Sequence, residues 1–363
     1  MCIAAAGIIA ALIPGSLSTM RQAVSEEQTP DTDPASTASL YSPLGEAMVG
    51  AASPDGANTV HVGLYLLRLP SLNIKENNFR ADFYLWFRWN GARWRDSENT
   101  PAEGFELPDG VFTVKEKTGE TENIGNGWLY ECYRVQAVFS KFWNTTKYPF
   151  DTHEIRIEIE DQDMDERQLR YIVDLENTKI NPDFSLMGWN IGPWKSYIES
   201  HDYKTNWGAG QDQIFPYSRF VFSIRLERSS RFLILIKLYG LFLPVLIALA
   251  TFWISPVNVD IRFGLCIGAI FAVIANHIVI SGNLPENGQI TLMDMLHLIG
   301  VVTIFAAIIL SMIALRICEK NRFRQDDFDP NASHLFDIVC FSVLLSLYAV
   351  QNMVIILLYS RSG

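Results

Sequence analysis

Cysteine is scarce in this chain, and its cysteines show no paired spacing. Only one of them falls between residues 59 and 231, the polar part of the chain, so no disulfide can form within that part. Without neighbouring Cys and His pairs, the sequence also offers no structural zinc site. The five cysteines are Cys2, Cys132, Cys266, Cys318 and Cys340.

Basic residues are also in short supply. The 363 residues contain 29 Lys and Arg against 40 Asp and Glu, a net charge of −11. Residues 232–363 hold 7 of these bases and 8 of these acids, leaving 22 and 32 for residues 1–231. Nearly all the acidity therefore lies in the first 231 residues. A nucleic-acid binder is excluded, because it would need a basic face to neutralise phosphates.

Motifs of the common enzyme classes are missing as well. The chain has no GxSxG, HExxH or Walker signature, and its histidines have no recognisable catalytic partner. We therefore expect neither an enzyme nor a cofactor. The six histidines are scattered at His61, His153, His201, His277, His297 and His334.

Apolar residues, in contrast, are abundant and form long runs. With 49% hydrophobic residues, 19% charged residues and a mean hydropathy of +0.12, the chain is too apolar for an ordinary soluble protein. Four apolar segments reach the roughly 20 residues that a helix needs to cross a bilayer. They predict transmembrane helices at about 232–254, 263–280, 291–317 and 335–359.

The loops between these segments predict the orientation. Residues 316–324, after the third segment, carry four Lys or Arg, whereas residues 282–294, after the second, carry none. Basic loops stay in the cytoplasm, so the domain before the first helix is predicted to lie outside.

The first 58 residues divide into two parts. Residues 2–14 form an apolar run followed by small residues, which predicts a signal peptide over 1–23. A mis-assigned start or a short membrane anchor is the alternative. Residues 24–58 are rich in Ser, Thr, Pro, Ala and Gly without periodicity, which predicts a flexible leader.

Residues 59–231 have the pattern of an all-β domain. Short alternating runs rich in aromatic and β-branched residues are separated by clusters of Gly, Pro, Asn and Asp. In 154–160 (EIRIEIE), Ile155, Ile157 and Ile159 alternate with charged residues and must form one buried face. The pattern predicts an antiparallel, immunoglobulin-like β-sandwich of about ten strands.

Several segments, in order along the chain, are distinctive when taken together. They are the second strand at 79–89 with Trp94 to Asp96 after it, the segment 147–151 (KYPFD) after Phe142 and Trp143, Pro244, Arg262, Asn283 to Pro285, and Thr291 to Asp294. In this order they resemble the pentameric ligand-gated ion channels, the Cys-loop receptor superfamily, in which KYPFD is similar to the signature loop at the membrane-facing end of the sandwich. Residues 141–151 contain no cysteine and the connection 316–337 is short, which resembles the bacterial members.

The resemblance implies a homopentamer in the cell (inner) membrane, in contact with membrane lipid, with the β domain in the periplasm. It also implies a pore lined by the second helix, with Asp260 at the cytoplasmic mouth favouring monovalent cations and Phe271 forming a hydrophobic gate. An N-terminal acid favoured by the helix dipole and a Gly-x-x-x-Gly packing motif are the alternatives for Asp260 and for Gly264 with Gly268. The implied pore residues are Asp260, Gly264, Gly268, Phe271, Ala275, Ile278 and Gly282.

The family's ligand site lies between neighbouring subunits and is walled by aromatic residues. Such a cage with carboxylates would suit an amine through cation–π attraction, and protons are a second candidate agonist because His277 could titrate near neutral pH. The alternative is that these aromatics pack the sandwich. The candidates are Trp86, Trp89, Trp128, Tyr130, Asp163, Tyr203, Trp207 and Tyr217.

Two further sets of residues complete the expectations. Asp161, Asp163 and Asp165 could form a loose Ca²⁺ site, although the loop lacks the Gly and Glu of an EF-hand. At the junction of the two domains, Asp151 is expected to pair with Arg228 or Arg231. The coupling residues implied by the family are Lys75, Glu76, Tyr148, Pro149, Phe150, Asp151, Arg228, Arg231 and Pro285.

The sequence as a whole predicts a ligand-gated ion channel, of the cation-selective kind that the acid at the mouth implies. A non-conducting, membrane-anchored binding protein with the same fold is the alternative, because the pore stripe is almost wholly apolar. A transporter is disfavoured, since four helices offer no inverted repeat.

Overall fold

The computed structural model describes residues 58–92, 94, 100–205, 208, 216–229, 231–286, 288–323 and 330–361. All of them fall within one compact unit, Pro43–Gly363. The predicted signal peptide, nearly all of the leader, and Trp207 lie outside the described residues.

The first part of the described chain consists of β-strands. The strands are β1 Asn58–Asn73, β2 Asn78–Asn90, β3 Phe105–Glu106, β4 Gly110–Lys117, β5 Glu122–Gly125, β6 Trp128–Ser140, β7 Thr152–Asp161, β8 Leu169–Val173, β9 Lys179–Ile180, β10 Trp189–His201 and β11 Tyr217–Arg228.

The strands form two sheets. The first has the order β4-β6-β2-β1-β8, with β5 beside β6 and β9 beside β1, and the second has the order β10-β11-β7-β3. The sandwich prediction is confirmed. Its all-antiparallel character needs a correction, because β8 and β9 both pair with β1 in parallel.

Alternation along the strands determines which side chains enter the core. Ile155, Ile157 and Ile159 of β7 are buried, as the sequence predicts, and Phe83 and Phe87 of β2 are buried with them. Each such side chain stabilises the fold by about 1.5–3 kcal/mol relative to an exposed position.

Four long helices follow the strands. They are α1 Arg231–Leu249, which continues as a 3₁₀ turn over Ala250–Trp253, α2 Val259–Ser281, α3 Leu292–Phe323 and α4 Pro330–Arg361. All four are long and apolar enough to cross a membrane. α3 ends at Phe323, later than the predicted end at 317, and α4 begins at Pro330, earlier than the predicted start at 335. Pro244 lies inside α1, as expected.

The helices bury only part of their apolar surface within the subunit. Leu241 and Val245 of α1 pack with Val273 of α2 in a buried cluster, and Gly300 of α3 lies close to all three. Many other large apolar side chains on the helices remain exposed. Exposed apolar surface on this scale is typical of contact with lipid or with another subunit.

The loop between β6 and β7 contacts the helices directly. The Leu292 N–H donates to the carbonyl of Thr146 at 2.8 Å, and the Thr145 N–H donates to Gln289 Oε1 at 2.9 Å. The Tyr148 side chain is buried in the helical cluster. The β domain therefore rests on the connection between α2 and α3.

Candidate functional site

One face of α2 is left uncovered by the rest of the subunit. Phe271, in the middle of this face, is 69% exposed. The opposite face carries the buried residues Cys266, Ala269 and Val273. The uncovered face, called the α2 stripe below, consists of Asp260, Gly264, Gly268, Phe271, Ala275, Ile278 and Gly282, all of them exposed.

The glycines of the α2 stripe do not pack helices together within the subunit. A Cβ atom built on Gly264 or Gly268 meets no described atom within 4 Å. At Gly240 of α1, in contrast, an added Cβ would lie 2.6 Å from Asn276 Oδ1 of α2. The close approach of α1 and α2 thus depends on Gly240, and the Gly-x-x-x-Gly packing alternative finds no support within one subunit.

Arg262 lies on the side of α2 away from the stripe. Its side chain is 1% exposed, and Nη1 and Nη2 donate to the two carboxylate oxygens of Asp337 on α4 at 3.1 and 2.5 Å. Nε also donates to the carbonyl of Ile254 at 3.0 Å. Asp260, two residues earlier in the first turn of α2, is exposed. The two opposite charges at this end of α2 therefore occupy different environments.

Polar residues at the other end of α2 bond to neighbouring helices. His277 Nε2 lies 2.9 Å from Asp294 Oδ1 on α3, and Asn276 Nδ2 lies 3.0 Å from His297 Nε2 on the same helix. Asn276 also donates to the Lys237 carbonyl of α1 at 3.4 Å. These side chains connect three helices and are not part of the α2 stripe.

The β domain contains a cleft of about 700 Å³ at the four-stranded sheet. The rings of Tyr203 and Tyr217 meet edge to face with centroids 5.6 Å apart, and the His201 ring meets Tyr203 at 4.6 Å. The cleft is lined by Glu106, Leu107, Pro108, Asp109, Gln162, His201, Tyr203, Tyr217 and Arg219.

A buried charge network forms the floor of this cleft. Arg219 donates to Glu158 at 2.6 Å and to Glu160 at 2.5 Å, and the Tyr203 hydroxyl donates to the second oxygen of Glu160 at 2.5 Å. Burial and this hydrogen bond raise the pKa of Tyr203. Since two carboxylates surround one guanidinium, Arg219 adds no net positive charge to the cleft.

Two further carboxylates near the cleft ionise less readily than usual. Burial, together with the charges of Glu160 and Asp161, raises the pKa of Glu106. Burial also raises the pKa of Asp161, although its Oδ1 accepts backbone N–H bonds from Asp163 and Met164. The cleft is therefore acidic and contains groups that take up protons above their ordinary range.

The three aspartates of the suggested Ca²⁺ loop do not converge. Asp161 bonds to backbone N–H groups, and Asp165 pairs with Arg167, whose Nη2 lies 2.6 Å from Asp165 Oδ2. Within the described part of the chain, no group of three or more His, Cys, Asp or Glu side chains could hold a metal ion. These contacts give the Ca²⁺ prediction no support, because Asp161 Oδ1 and both carboxylate oxygens of Asp165 already accept from protein donors.

The predicted aromatic set divides between the two sheets. Tyr203 and Tyr217 line the cleft, and Asp163 is in the loop beside it, whereas Trp86, Trp89, Trp128 and Tyr130 belong to the seven-stranded sheet. They form no single cage within one subunit.

Two of the tryptophans on the seven-stranded sheet have structural surroundings. Trp89 is 2% exposed in the sandwich core, so it is unsuited to contact a ligand. The Trp86 ring lies against Gly63, and its Nε1 donates to Asp174 Oδ2 at 3.0 Å. These contacts favour the packing alternative for both residues.

Trp128 lies beside a smaller cavity of about 260 Å³ on the same sheet. Its ring meets the edge of His61 with centroids 5.3 Å apart, and Arg88 also lines this cavity. Burial and Arg88 lower the pKa of His61. Arg88 is itself paired with Asp174, at 3.0 Å.

Several residues of the cleft were absent from the sequence prediction. Glu158 and Glu160 lie on the polar face of the strand whose isoleucines were recognised as core, so their alternation was a usable signal. Arg219 lies directly before the apolar run 220–222 of β11, and nothing local in the sequence marks it as different from the other bases of that strand. A buried base that faces two buried acids across neighbouring strands is a pattern that only strand pairing reveals.

The junction of the domains centres on Asp151. Arg228 binds it at two points, and His153 Nε2 lies 2.7 Å from its Oδ2. Burial opposes ionisation of Asp151, but the hydrogen bonds from Arg228 and His153 outweigh burial and hold its pKa well below the usual range. Of the two candidate partners, Arg228 makes the pair, and the Arg231 side chain lies outside the described residues.

The other predicted coupling residues surround this pair. The Arg228 guanidinium lies over the Tyr148 ring, 5.0 Å from its centroid, and Lys237 of α1 donates to the Tyr148 hydroxyl. Pro149 and Pro285 are buried and Phe150 is exposed. Lys75 and Glu76 lie on the exposed turn between β1 and β2.

Comparison with known proteins gives one informative relative. No family model matches the chain. A proton-gated ion channel of Gloeobacter violaceus is 23% identical over 265 residues, which cover 68% of this chain and 70% of the relative.

Proposed function

We propose that this protein is a ligand-gated ion channel. In fold and in sequence the chain resembles the prokaryotic pentameric ligand-gated ion channels. The observation that carries the proposal is the α2 stripe, an exposed helix face that packing within the subunit does not use. Five subunits with this face toward a common axis would enclose a pore. The β domain, with its acidic cleft, would lie outside the inner membrane.

The pore is proposed to close at Phe271. Five phenylalanine rings at one level would form the narrowest apolar ring, since Gly264 and Gly268 leave the cytoplasmic side wide. A hydrophobic constriction excludes water and ions without a charged plug.

Selectivity for monovalent cations is proposed to come from Asp260. Five exposed carboxylates at the mouth would concentrate cations and repel anions. Arg262 is the nearest opposing charge, and its burial against Asp337 supports the proposal, because it keeps the positive charge off the stripe.

The agonist is proposed to act at the cleft around Tyr203 and Tyr217. Two aromatic rings beside Glu106 and Asp109, with Arg219 neutralised, suit an organic amine. Protons are the second candidate, because the relative is named as proton-gated and the pKa of Glu106 is raised.

Opening is proposed to pass through the domain junction. The loop containing Tyr148 and Asp151 is tied to β11 by Arg228 and to the start of α3 by the Leu292 bond to Thr146. Movement of β11 on agonist binding would reach the α2–α3 connection through these contacts. This is a shift between two packed arrangements.

The test is electrophysiology of the purified protein in planar bilayers. Phe271→Ala is expected to produce a standing current, because it removes the apolar ring. Ile274→Ala is the matched control, since Ile274 is also exposed, at 42%, but is turned off the stripe. If the folded, oligomeric Phe271→Ala protein carries no current, the non-conducting binding protein becomes the better account.

A further inference from the structure

We propose that Asp337 on α4 is a positioning residue for charge selectivity: it holds Arg262 away from the pore mouth and so leaves the charge of Asp260 unopposed by Arg262. The inference rests on the proposed channel function. Asp337 itself is 4% exposed and lies on α4, where both of its carboxylate oxygens bind Arg262. Its action on the pore would be exerted wholly through Arg262.

Arg262 and Asp337 form a two-point ion pair that fixes the guanidinium in place; this pair is called the clamp below. Both carboxylate oxygens of Asp337 accept from Arg262, and the Ile254 carbonyl accepts from Nε and from Nη2. Planar two-point contact of this kind fixes the direction of a guanidinium as well as its position. In the described residues, Asp337 is the carboxylate that pairs with Arg262.

The position of Arg262 on the helix explains why the clamp matters. Asp260 and Arg262 are two residues apart, and each residue of a helix turns by about 100°, so their side chains leave opposite sides of α2. Both nevertheless belong to its first turn. An Arg262 side chain released from Asp337 is long enough to carry its charge back toward water at the mouth.

The charge balance at the mouth follows directly. With Arg262 and Asp337 paired, the first turn of α2 contributes one unpaired negative charge per subunit, that of Asp260. Without the Asp337 charge, the buried guanidinium has no counter-ion, which is an unfavourable arrangement, and it would move toward solvent. Each subunit would then present one negative and one positive charge, and the mouth would lose its preference for cations.

The experiment measures reversal potentials under a salt gradient in purified channels whose subunits all carry Phe271→Ala, so that current flows without an agonist. On this background, Asp337→Asn is expected to lower the cation-to-anion permeability ratio toward equal permeability, while Asp337→Glu keeps the ratio of the background. The double variant Arg262→Gln with Asp337→Asn is expected to restore cation preference, because it removes both charges. Glu319→Gln is the matched control, since it removes an exposed acid of α3 without touching Arg262.

The outcomes separate this inference from the proposed function. If the Phe271→Ala background conducts cations selectively and adding Asp337→Asn leaves the permeability ratio unchanged, the positioning role is wrong while the channel function stands. If the folded, oligomeric Phe271→Ala background carries no current, the channel function fails and the inference fails with it. A low ratio in the double variant would also contradict the inference, because a merely structural role of the pair predicts no rescue of selectivity.

A second experiment is used if subunits carrying Asp337→Asn do not assemble into channels by themselves. Co-expression with subunits that carry Phe271→Ala alone gives mixed channels, and incorporation is measured with a tag on the variant subunit. The permeability ratio is expected to fall as the variant fraction rises. A constant ratio in conducting channels that contain the tagged subunit would overturn the proposal.

Discussion

Arg228 and Asp151 form a two-point ion pair beneath the β domain, with Nε to Oδ1 at 2.7 Å and Nη2 to Oδ2 at 2.9 Å. The pair joins the end of β11 to the loop that rests on the helices. Because Asp151 is buried, its charge depends on this partner and on His153.

Removing the base should therefore destabilise the protein strongly. Arg228→Ala leaves a buried carboxylate without its main partner, which costs about 3–5 kcal/mol. Thermal unfolding of the detergent-solubilised protein measures the loss. Arg225→Ala is the control, since Arg225 pairs at the surface with Glu227 and should change stability by only about 0.5 kcal/mol. Equal stability of the two variants would show that the buried pair contributes nothing.

The same pair predicts how stability depends on pH. The folded pKa of Asp151 lies below its unfolded value, so the stabilisation is fully present at neutral pH. It should be lost as the pH falls below about 4 toward the folded pKa. Asp151→Asn should remove this acid-dependent part of the unfolding free energy. An unchanged acid limb in Asp151→Asn would contradict the assignment.

Protonation of the cleft can be tested at Glu106. Its pKa is raised above the ordinary value of 4.5, so its proton is taken up before those of ordinary carboxylates as the pH falls. If protons activate the channel at the cleft, Glu106→Gln imitates the protonated state and should shift activation to higher pH. Glu116→Gln, an exposed acid on β4, is the control. No shift in the pH of half-activation would remove Glu106 from the proton response.

An amine agonist would depend on the aromatic rings of the cleft rather than on its carboxylates becoming protonated. Tyr203→Ala removes a ring that cation–π attraction would use and should raise the half-activating concentration about tenfold. Tyr203→Phe keeps the ring and should have a smaller effect, although Glu160 loses one donor. Tyr197→Ala, on β10 and outside the cleft lining, should leave activation unchanged. Equal effects at the two tyrosines would point to general disruption of the four-stranded sheet.

The two groups of tryptophans should separate by stability. Trp89→Ala empties a core position and is expected to cost about 3–5 kcal/mol. Trp128→Ala, at a partly exposed position beside the smaller cavity, should cost far less. Urea unfolding, followed by a signal from the β domain, measures the loss of stability in both variants. A mild effect of Trp89→Ala would return that residue to the list of ligand candidates.

Much of the fold could be predicted because its signals are local. Hydropathy over about 20 residues finds each helix, and alternation finds the strands. Alternation also predicts the burial of Trp89, because odd-numbered residues of β2 such as Phe83 and Phe87 point to the core and Trp89 is on the same face. For an aromatic residue on a strand, the face to which it points is therefore a better guide to its role than its residue type.

The contacts that matter most for function are not local. Arg262 and Asp337 are 75 residues apart, and helical periodicity cannot say which acid on another helix faces a given base. Arg228 and Arg231 lie three residues apart near the end of β11, so the sequence left the partner of Asp151 open. Strand pairing and helix packing determine which residues form these ion pairs, and neither can be predicted from one short segment of the sequence.

If the α2 stripe lines an ion pathway, a cysteine placed on it should react with reagents that enter the pore from water. Gly268→Cys would be combined with Phe271→Ala, and the standing current recorded while a charged, water-soluble thiol reagent is applied, with Ile274→Cys on the same background as the control turned off the stripe. Cys266 and Cys340 are buried, and the Phe271→Ala channel alone gives the background from the partly exposed Cys132 and Cys318. We expect rapid block in Gly268→Cys and little change in Ile274→Cys. Block of Ile274→Cys with full current through Gly268→Cys would contradict the assignment of the α2 stripe to the pore.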